Sequence, residues 1–208
     1  MALCRLGFLH YEDHQAEVHR LVVGPLDNNV FVLRCKHTGA GLLVDAANEP
    51  DKLLEVSQRL GVFKVVSTHG HWDHVQAVPQ MRAAGYHVGV GGGDAHMLPS
   101  YDFVIEDNMV LEVGRLSVLA VATPGHTPGS MCFVVQGSPV LFSGDTLFPG
   151  GPGNTRSREG NFSLIIRSVQ DRLFRRLPDE TVVMPGHGRD TTIGAESPHL
   201  DEWVKRGW

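Results

Sequence analysis

Residues 65–79 read VVSTHGHWDHVQAVP and set His69, His71, Asp73 and His74 within six positions, directly behind an apolar run. Neutral imidazoles and carboxylates are ligands of zinc and similar ions, whereas four such side chains converging without an ion would be crowded and poorly satisfied. Gly70 leaves room for a tight loop that turns alternate side chains toward one point. A loop this short cannot close a coordination sphere alone. The fold therefore has to deliver it from a strand and bring further ligands to the same place.

Three other stretches have the required form. ATPGHTPGS sets His126 after an apolar run, LFSGDTLF sets Asp145 after another, and VVMPGHGRD sets His187 after a third. Each alone would be weak evidence, because a glycine-flanked histidine commonly serves a turn. Their repetition predicts a common mouth on one edge of a sheet structure. The isolated histidines His10, His14, His19, His37, His87, His96 and His199 lack such a setting and are expected to be ordinary surface or core residues.

The rest of the chain reads as strands followed by helices, twice over. HRLVVGP, NVFVLRC and GLLVDA are short Val- and Leu-rich runs broken by Gly, Pro and Asn, which predicts an antiparallel meander. A helix is expected over 50–60, with Pro50 at its first position, Leu53, Leu54, Val56 and Leu60 on one face, and Gly61 as its stop. Strand 62–67 then feeds the histidine loop, and VQAVPQMRAAG predicts a second helix over 75–85 with Pro79 disturbing its middle. MVLEVG, LSVLAVA, MCFVVQ and PVLFSG predict four further strands, and helix 161–177 follows with Leu164, Ile165, Val169, Leu173 and Leu177 as its buried stripe. Strand TVVMPG and a helical tail from 194 finish the chain. This order predicts an α/β (α+β) architecture of two sheets face to face, one from each half, with helices outside. With 208 residues and no linker or low-complexity segment, one domain over 1–208 is expected.

Composition narrows the partners. Hydrophobic residues make up 42% and charged residues 20%, and the formal net charge of −5 offers no phosphate-binding face, so nucleic acid is not an expected partner. MALCRLGFLHYEDHQ lacks the form of a secretory signal, and no apolar run approaches the roughly 20 residues that span a bilayer. Cys4, Cys35 and Cys132 are too scattered for a disulfide framework or a metal knuckle. The expectation is a soluble cytoplasmic protein with inert core thiols and no membrane partner.

His-x-His-x-Asp-His, followed in order by Pro-Gly-His-Thr, Gly-Asp-Thr-Leu-Phe and Pro-Gly-His-Gly, resembles the metallo-β-lactamase-fold hydrolases, and most of all their glyoxalase II branch. The resemblance implies a four-layer αββα sandwich with two divalent metal ions, zinc first, with iron or manganese as alternatives. It places His69, His71 and His126 on one ion, Asp73, His74 and His187 on the other, and Asp145 between them. It implies hydrolysis of a small-molecule thioester, a hydroxyacyl thiol conjugate such as S-lactoylglutathione, by a metal-bridging hydroxide that Asp73 orients as the catalytic residue. The chemistry agrees: paired ions about 3.5–4 Å apart bring the pKa of bound water toward about 7. No protein nucleophile is then needed, and the chain has no Gly-x-Ser-x-Gly elbow. A thiolate with a free-thiol pKa near about 8.5 also leaves with little acid help.

Other branches rank lower. The lactamases with a thiolate ligand carry Cys at the position matching Asp145, and the diiron flavoprotein branch carries Glu in place of His71. The serious alternative is the persulfide dioxygenase branch, which holds a single iron with residues matching His69, His126 and Asp145. Trp72 favours glyoxalase II, where the dioxygenases have a small residue. A lactone or ester hydrolase and a non-catalytic module complete the alternatives, and the filled ligand set argues against the module. PGGPGNTRSREGNF, residues 149–162, departs from the glyoxalase II continuation, and 21 residues after His187 fit a short form without the C-terminal helical domain. Within that stretch Arg156 and Arg158 are candidates to clamp a substrate carboxylate. Arg167, Arg172, Arg175 and Arg176 are expected to form a solvated helix face.

Overall fold

The computed structural model describes residues 8–207. Strands β2 (Ala16–Val23), β3 (Asn28–Cys35) and β4 (Gly41–Val44) form the expected antiparallel meander, and β1 (Phe8–Glu12), which has no counterpart among the expected strands, adds a fourth antiparallel strand at its edge. Helix α1 (Pro50–Arg59) leads to β5 (Val62–Val66), which pairs parallel to β4. Two short helices, α2 (Trp72–Val75) and α3 (Val78–Ala83), lead to β6 (His87–Gly91) and β7 (Phe103–Ile105), which extend the sheet in parallel. The first sheet thus runs β1-β2-β3-β4-β5-β6-β7.

The second half supplies β8 (Val110–Val113), β9 (Leu116–Ala122), β10 (Met131–Val135) and β11 (Val140–Gly144), then a small hairpin of β12 (Leu147–Phe148) and β13 (Gly151–Pro152). Helix α4 (Phe162–Ser168), β14 (Val182–Pro185), β15 (Thr191–Thr192), α5 (Ile193–Glu196) and α6 (Leu200–Arg206) follow. The second sheet runs β15-β14-β11-β10-β9-β8. Its inner face meets that of the first sheet in a shared core that includes Val18, Phe31 and Leu42 from one side and Val118, Phe133 and Phe142 from the other. The Phe31 and Phe142 rings lie 5.3 Å apart across it. Leu53 and Met81, from α1 and α3, cover the outer face of the first sheet, and Ile165, Leu173 and Trp203 cover the outer face of the second. Full burial of side chains of this kind contributes about 1.5–3 kcal/mol each. The result is the four-layer αββα metallo-β-lactamase sandwich.

Three local expectations are corrected. The helix expected over 75–85 is shorter, α3 alone at Val78–Ala83, with α2 ending at Val75. Gln76 and Ala77 donate their N–H groups to Ala47 O and Ala46 O, which draws the chain out of helix between them, and Pro79 falls in the first turn of α3, where its missing N–H is harmless. Helix 161–177 is regular only to Ser168 and then widens into a π-helical stretch through Phe174, with Arg175 N bonded to Gln170 O at 3.1 Å. Of the four arginines expected on a solvated face, Arg167, Arg175 and Arg176 are exposed as expected, and Arg172 departs from it, half-buried and paired with Asp107. Strands β6 and β7 give little signal because β6 is short and glycine-rich; Gly89 is where the Phe103 ring packs onto bare backbone, with room for no side chain. Cys35 and Cys132 are buried free thiols, and Cys4 lies outside the described residues. Among the described residues no helix is long and apolar enough to cross a membrane.

Candidate metal centre

Strand directions create the site. Strand β10 is antiparallel to both β9 and β11, and β14 is parallel to β11, so β9, β11 and β14 all end at one edge. Just beyond those ends stand His126, Asp145 and His187, while the loop after β5 brings His69, His71, Asp73 and His74 to meet them. Three donor groups result: His69, His71 and His126; Asp73, His74 and His187; and His69, His74 and Asp145, with the atoms in each group within 4.8 Å of one another. The common mouth expected from the four sequence stretches is present.

Hydrogen bonds at the rear of four of the five histidine rings, those of His69, His74, His126 and His187, aim the other nitrogen inward. Thr68 Oγ1 donates to Asp45 Oδ2 at 2.8 Å, so it accepts the Nδ1–H of His69 at 3.1 Å, and His69 Nε2 is left bare, buried and without a partner. His126 Nδ1 donates to Asn154 O at 2.7 Å, which turns its Nε2 toward His71 Nδ1 at 2.9 Å. His187 Nδ1 donates to Leu26 O at 2.9 Å and His74 Nδ1 to Asp45 Oδ2 at 2.9 Å, and their Nε2 atoms face each other at 3.2 Å. Asp145 spans the two sets, with Oδ2 3.6 Å from His126 Nε2 and Oδ1 3.5 Å from His74 Nε2. Gly186 permits this approach, because a Cβ there would lie 2.3 Å from Asp145 Oδ1 and 2.7 Å from His74 Cε1.

The electrostatics suit a cation. Burial and the neighbouring imidazoles hold His69 well below the ordinary histidine range, and His71 shifts down for the same reasons. Burial also disfavours charge on His74, yet the Asp145 and Asp45 carboxylates outweigh it and lift the ring to about 9. The hydrogen bond to Asp73 raises His187. Burial opposes ionisation of Asp73, but His187, His74 and Asn28 together hold its carboxyl far below the usual range. An orphaned buried nitrogen on His69, an orphaned buried oxygen on Asp145 and a nitrogen–oxygen donor set fit divalent ions of the zinc type.

Sequence reasoning missed the supports behind these donors. Asp45 closes β4 at a φ of 65° and is buried, and its only sequence signal is an acid ending an apolar strand. Asn28, read only as a strand breaker, donates Nδ2 to Asp73 Oδ2 at 2.9 Å. A cavity of about 350 Å³ opens beside Asp145 and His187, walled by Phe148, residues 149–154 and Arg206. A neighbouring cavity of about 500 Å³ shares Pro152, Gly153 and Asn154 and reaches Arg156. Arg158 is exposed and lines neither.

The sequence pattern of the metallo-beta-lactamase superfamily matches residues 23–187. A hydroxyacylglutathione hydrolase of Rhodospirillum rubrum is 34% identical over 175 residues, covering 82% of this chain; the chain spans about two thirds (66%) of that relative's length. The solved structure of BLEG-1 B3 metallo-beta-lactamase has a TM-score of 0.81 at 28% identity, covering 88% of this chain and 97% of that one. The structure of TTHA1623 in a di-iron-bound form has a TM-score of 0.76 at 29% identity, covering 86% and 96%. Fold and donor sets together support metal-dependent hydrolysis. The chain belongs to the metallo-beta-lactamase superfamily.

Proposed function

We propose that the chain is a dinuclear metal-dependent thioester hydrolase acting on a hydroxyacyl thiol conjugate such as S-lactoylglutathione. The observation that carries this reading is Asp145, whose two oxygens face His126 on one side and His74 on the other. His69, His71 and His126 would hold one ion, Asp73, His74 and His187 the other, and Asp145 would be shared. Zinc is the proposed metal, although iron and manganese accept the same donors. When bound, such a pair supplies Lewis acidity and brings the pKa of water toward about 7.

The chain's own groups do the rest. Asp73, kept ionised by His187, His74 and Asn28, accepts a hydrogen bond from the attacking water and orients it toward the carbonyl carbon. The rear hydrogen bonds on His69, His74, His126 and His187 fix ring orientation before substrate arrives, so little reorganisation is required in the transition state. A thiolate leaves without a proton donor, so the site needs no general acid beside the Asp73 carboxylate that is held ionised. The hydroxyacylglutathione hydrolase of R. rubrum supports the substrate class, and the di-iron form of TTHA1623 supports two ions.

The test is zinc-loaded protein with S-lactoylglutathione under anaerobic conditions, read by a chromogenic thiol reagent. Thiol release that disappears in Asp73→Ala is expected. Oxygen uptake by iron-loaded protein with glutathione persulfide, without anaerobic thioester cleavage, would replace the hydrolase reading with the dioxygenase one.

A further inference from the structure

The segment GVGGGDAHM, residues 89–97, carries no donor of the metal centre, yet it holds one of the most heavily bonded side chains in the molecule. Asp94 lies in a 3-10 turn, Gly92–Met97, directly after β6, and is fully buried. Its Oδ2 accepts the Gly70 N–H at 2.8 Å and the Thr127 hydroxyl at 2.6 Å, and its Oδ1 accepts the Gly129 N–H at 2.6 Å. Gly70 separates His69 from His71, and Thr127 follows His126. One carboxylate therefore ties together both loops that present the His69, His71 and His126 donors. Among the described residues no basic side chain pairs with it, so its charge is held by these neutral donors, and charge-assisted bonds of this kind are the short, strong ones.

The surrounding backbone is built to allow the approach. A Cβ on Gly70 would lie 3.0 Å from Asp94 Cβ and 2.8 Å from Met97 Cβ, and one on Gly129 would lie 2.4 Å from Asp94 N. The turn and the two loops meet backbone to backbone, and Asp94 is the side chain at their junction. Asp45 works on the other side: it bonds His74 directly, and reaches His69 only through Thr68.

We propose that Asp94 is a positioning residue for one half of the metal centre, locking the His69–His71 loop to the His126 loop, so that its loss weakens ion binding at His69, His71 and His126 but not at Asp73, His74 and His187. This rests on the metal-binding part of the function proposed above, and not on the thioester substrate. Loosening a group that orients metal ligands costs about 10- to 100-fold in metal affinity. Here the loss is confined to one ion.

The experiment measures zinc affinity of metal-free protein by competition with a chelator of known affinity, in two backgrounds. His187→Ala disables the Asp73–His74–His187 set, and His71→Ala disables the other. Adding Asp94→Asn to His187→Ala should lower zinc affinity about 10- to 100-fold. Adding it to His71→Ala should change affinity less than about twofold. Thr127→Val removes one of the three bonds and should give a smaller loss with the same background dependence, which keeps the test open if Asp94→Asn does not fold. Equal losses in both backgrounds would make Asp94 a general structural residue and overturn the proposal, as would no loss in either, or a His187→Ala protein that binds no zinc. Because zinc affinity is read without substrate, inactivity toward thioesters would overturn the substrate reading alone.

Discussion

His74 Nδ1 lies 2.9 Å from Asp45 Oδ2, with both side chains buried, and the bond it donates there turns Nε2 toward Asp73, Asp145 and His187. Asp45 also takes the Thr68 N–H and hydroxyl on its two oxygens. An amide offers one oxygen where the carboxylate offers two, so in Asp45→Asn either Thr68 N–H or His74 Nδ1–H meets an NH₂ group. Asn tolerates the φ of 65° at this position, so the backbone survives. An NH₂ facing His74 draws the ring proton to Nε2 and blocks that ligand atom. Asp45→Asn should therefore lower zinc affinity about 10- to 100-fold with an unchanged far-ultraviolet circular dichroism spectrum. Unchanged zinc affinity would remove Asp45 from the site.

Asp145 lies 3.6 Å from His126 Nε2 and 3.5 Å from His74 Nε2, one nitrogen from each donor set, so on the proposed dinuclear reading its charge should matter to both ions. Metal analysis after reconstitution should give two zinc ions per chain in the parent protein, and clearly fewer with lower turnover in Asp145→Asn. Chelation should lower the unfolding temperature, because a ligand bound only by the native state stabilises it. A persistent single ion in the parent protein under excess zinc would contradict the dinuclear reading.

The donors themselves were legible in the sequence because each sits in a short stretch whose glycines and prolines announce a strand end. The supports behind them were not. Asp45 acts on Thr68 and His74, Asp94 on Gly70 and Gly129, and Asn28 on Asp73, all partners at least 23 positions away, and no local periodicity encodes such pairings. The helix break after α2 has the same origin, since the N–H groups of Gln76 and Ala77 are taken by carbonyls of the segment following β4. Arg156 and Arg158 stand on the same loop, yet only Arg156 borders one of the two cavities, because a loop position near the mouth does not encode which wall a side chain joins.

Acid stability should report on a pin far from the metal centre. Arg82 of α3 donates Nε to Asp102 Oδ2 at 2.9 Å and Nη2 to Oδ1 at 2.5 Å, and Asp102 also accepts the Val88 N–H of β6 at 2.8 Å. Chiefly through the Arg82 bonds, the Asp102 carboxyl is lowered to about 2 from 3.8. A depressed carboxylate stabilises the fold above its unfolded value and loses that contribution as pH falls through the folded one. Asp102→Asn should thus lower the unfolding temperature at pH near 7, by on the order of 2 °C for a partly exposed pair. The gap should close as pH falls from about 4 toward about 2. A gap independent of pH would assign the effect to packing instead.

The groove wall gives the last prediction. Arg206 ends α6, whose buried Trp203 anchors the helix to the second sheet, and its Nη2 donates to Gly150 O at 3.1 Å. It borders the same cavity as Asp145 and His187, so a substrate whose carbonyl reaches those residues brings its thiol-side carboxylates near this guanidinium. Arg206→Gln should raise KM for S-lactoylglutathione about 5- to 30-fold with kcat little changed, the size expected for a lost charge-assisted contact. A neutral thioester without carboxylates should show no such rise, and Arg158→Ala should leave both substrates unaffected. The comparison separates recognition from support: if Arg206 only holds Gly150 in place, both substrates lose equally, and kcat falls along with the affinity.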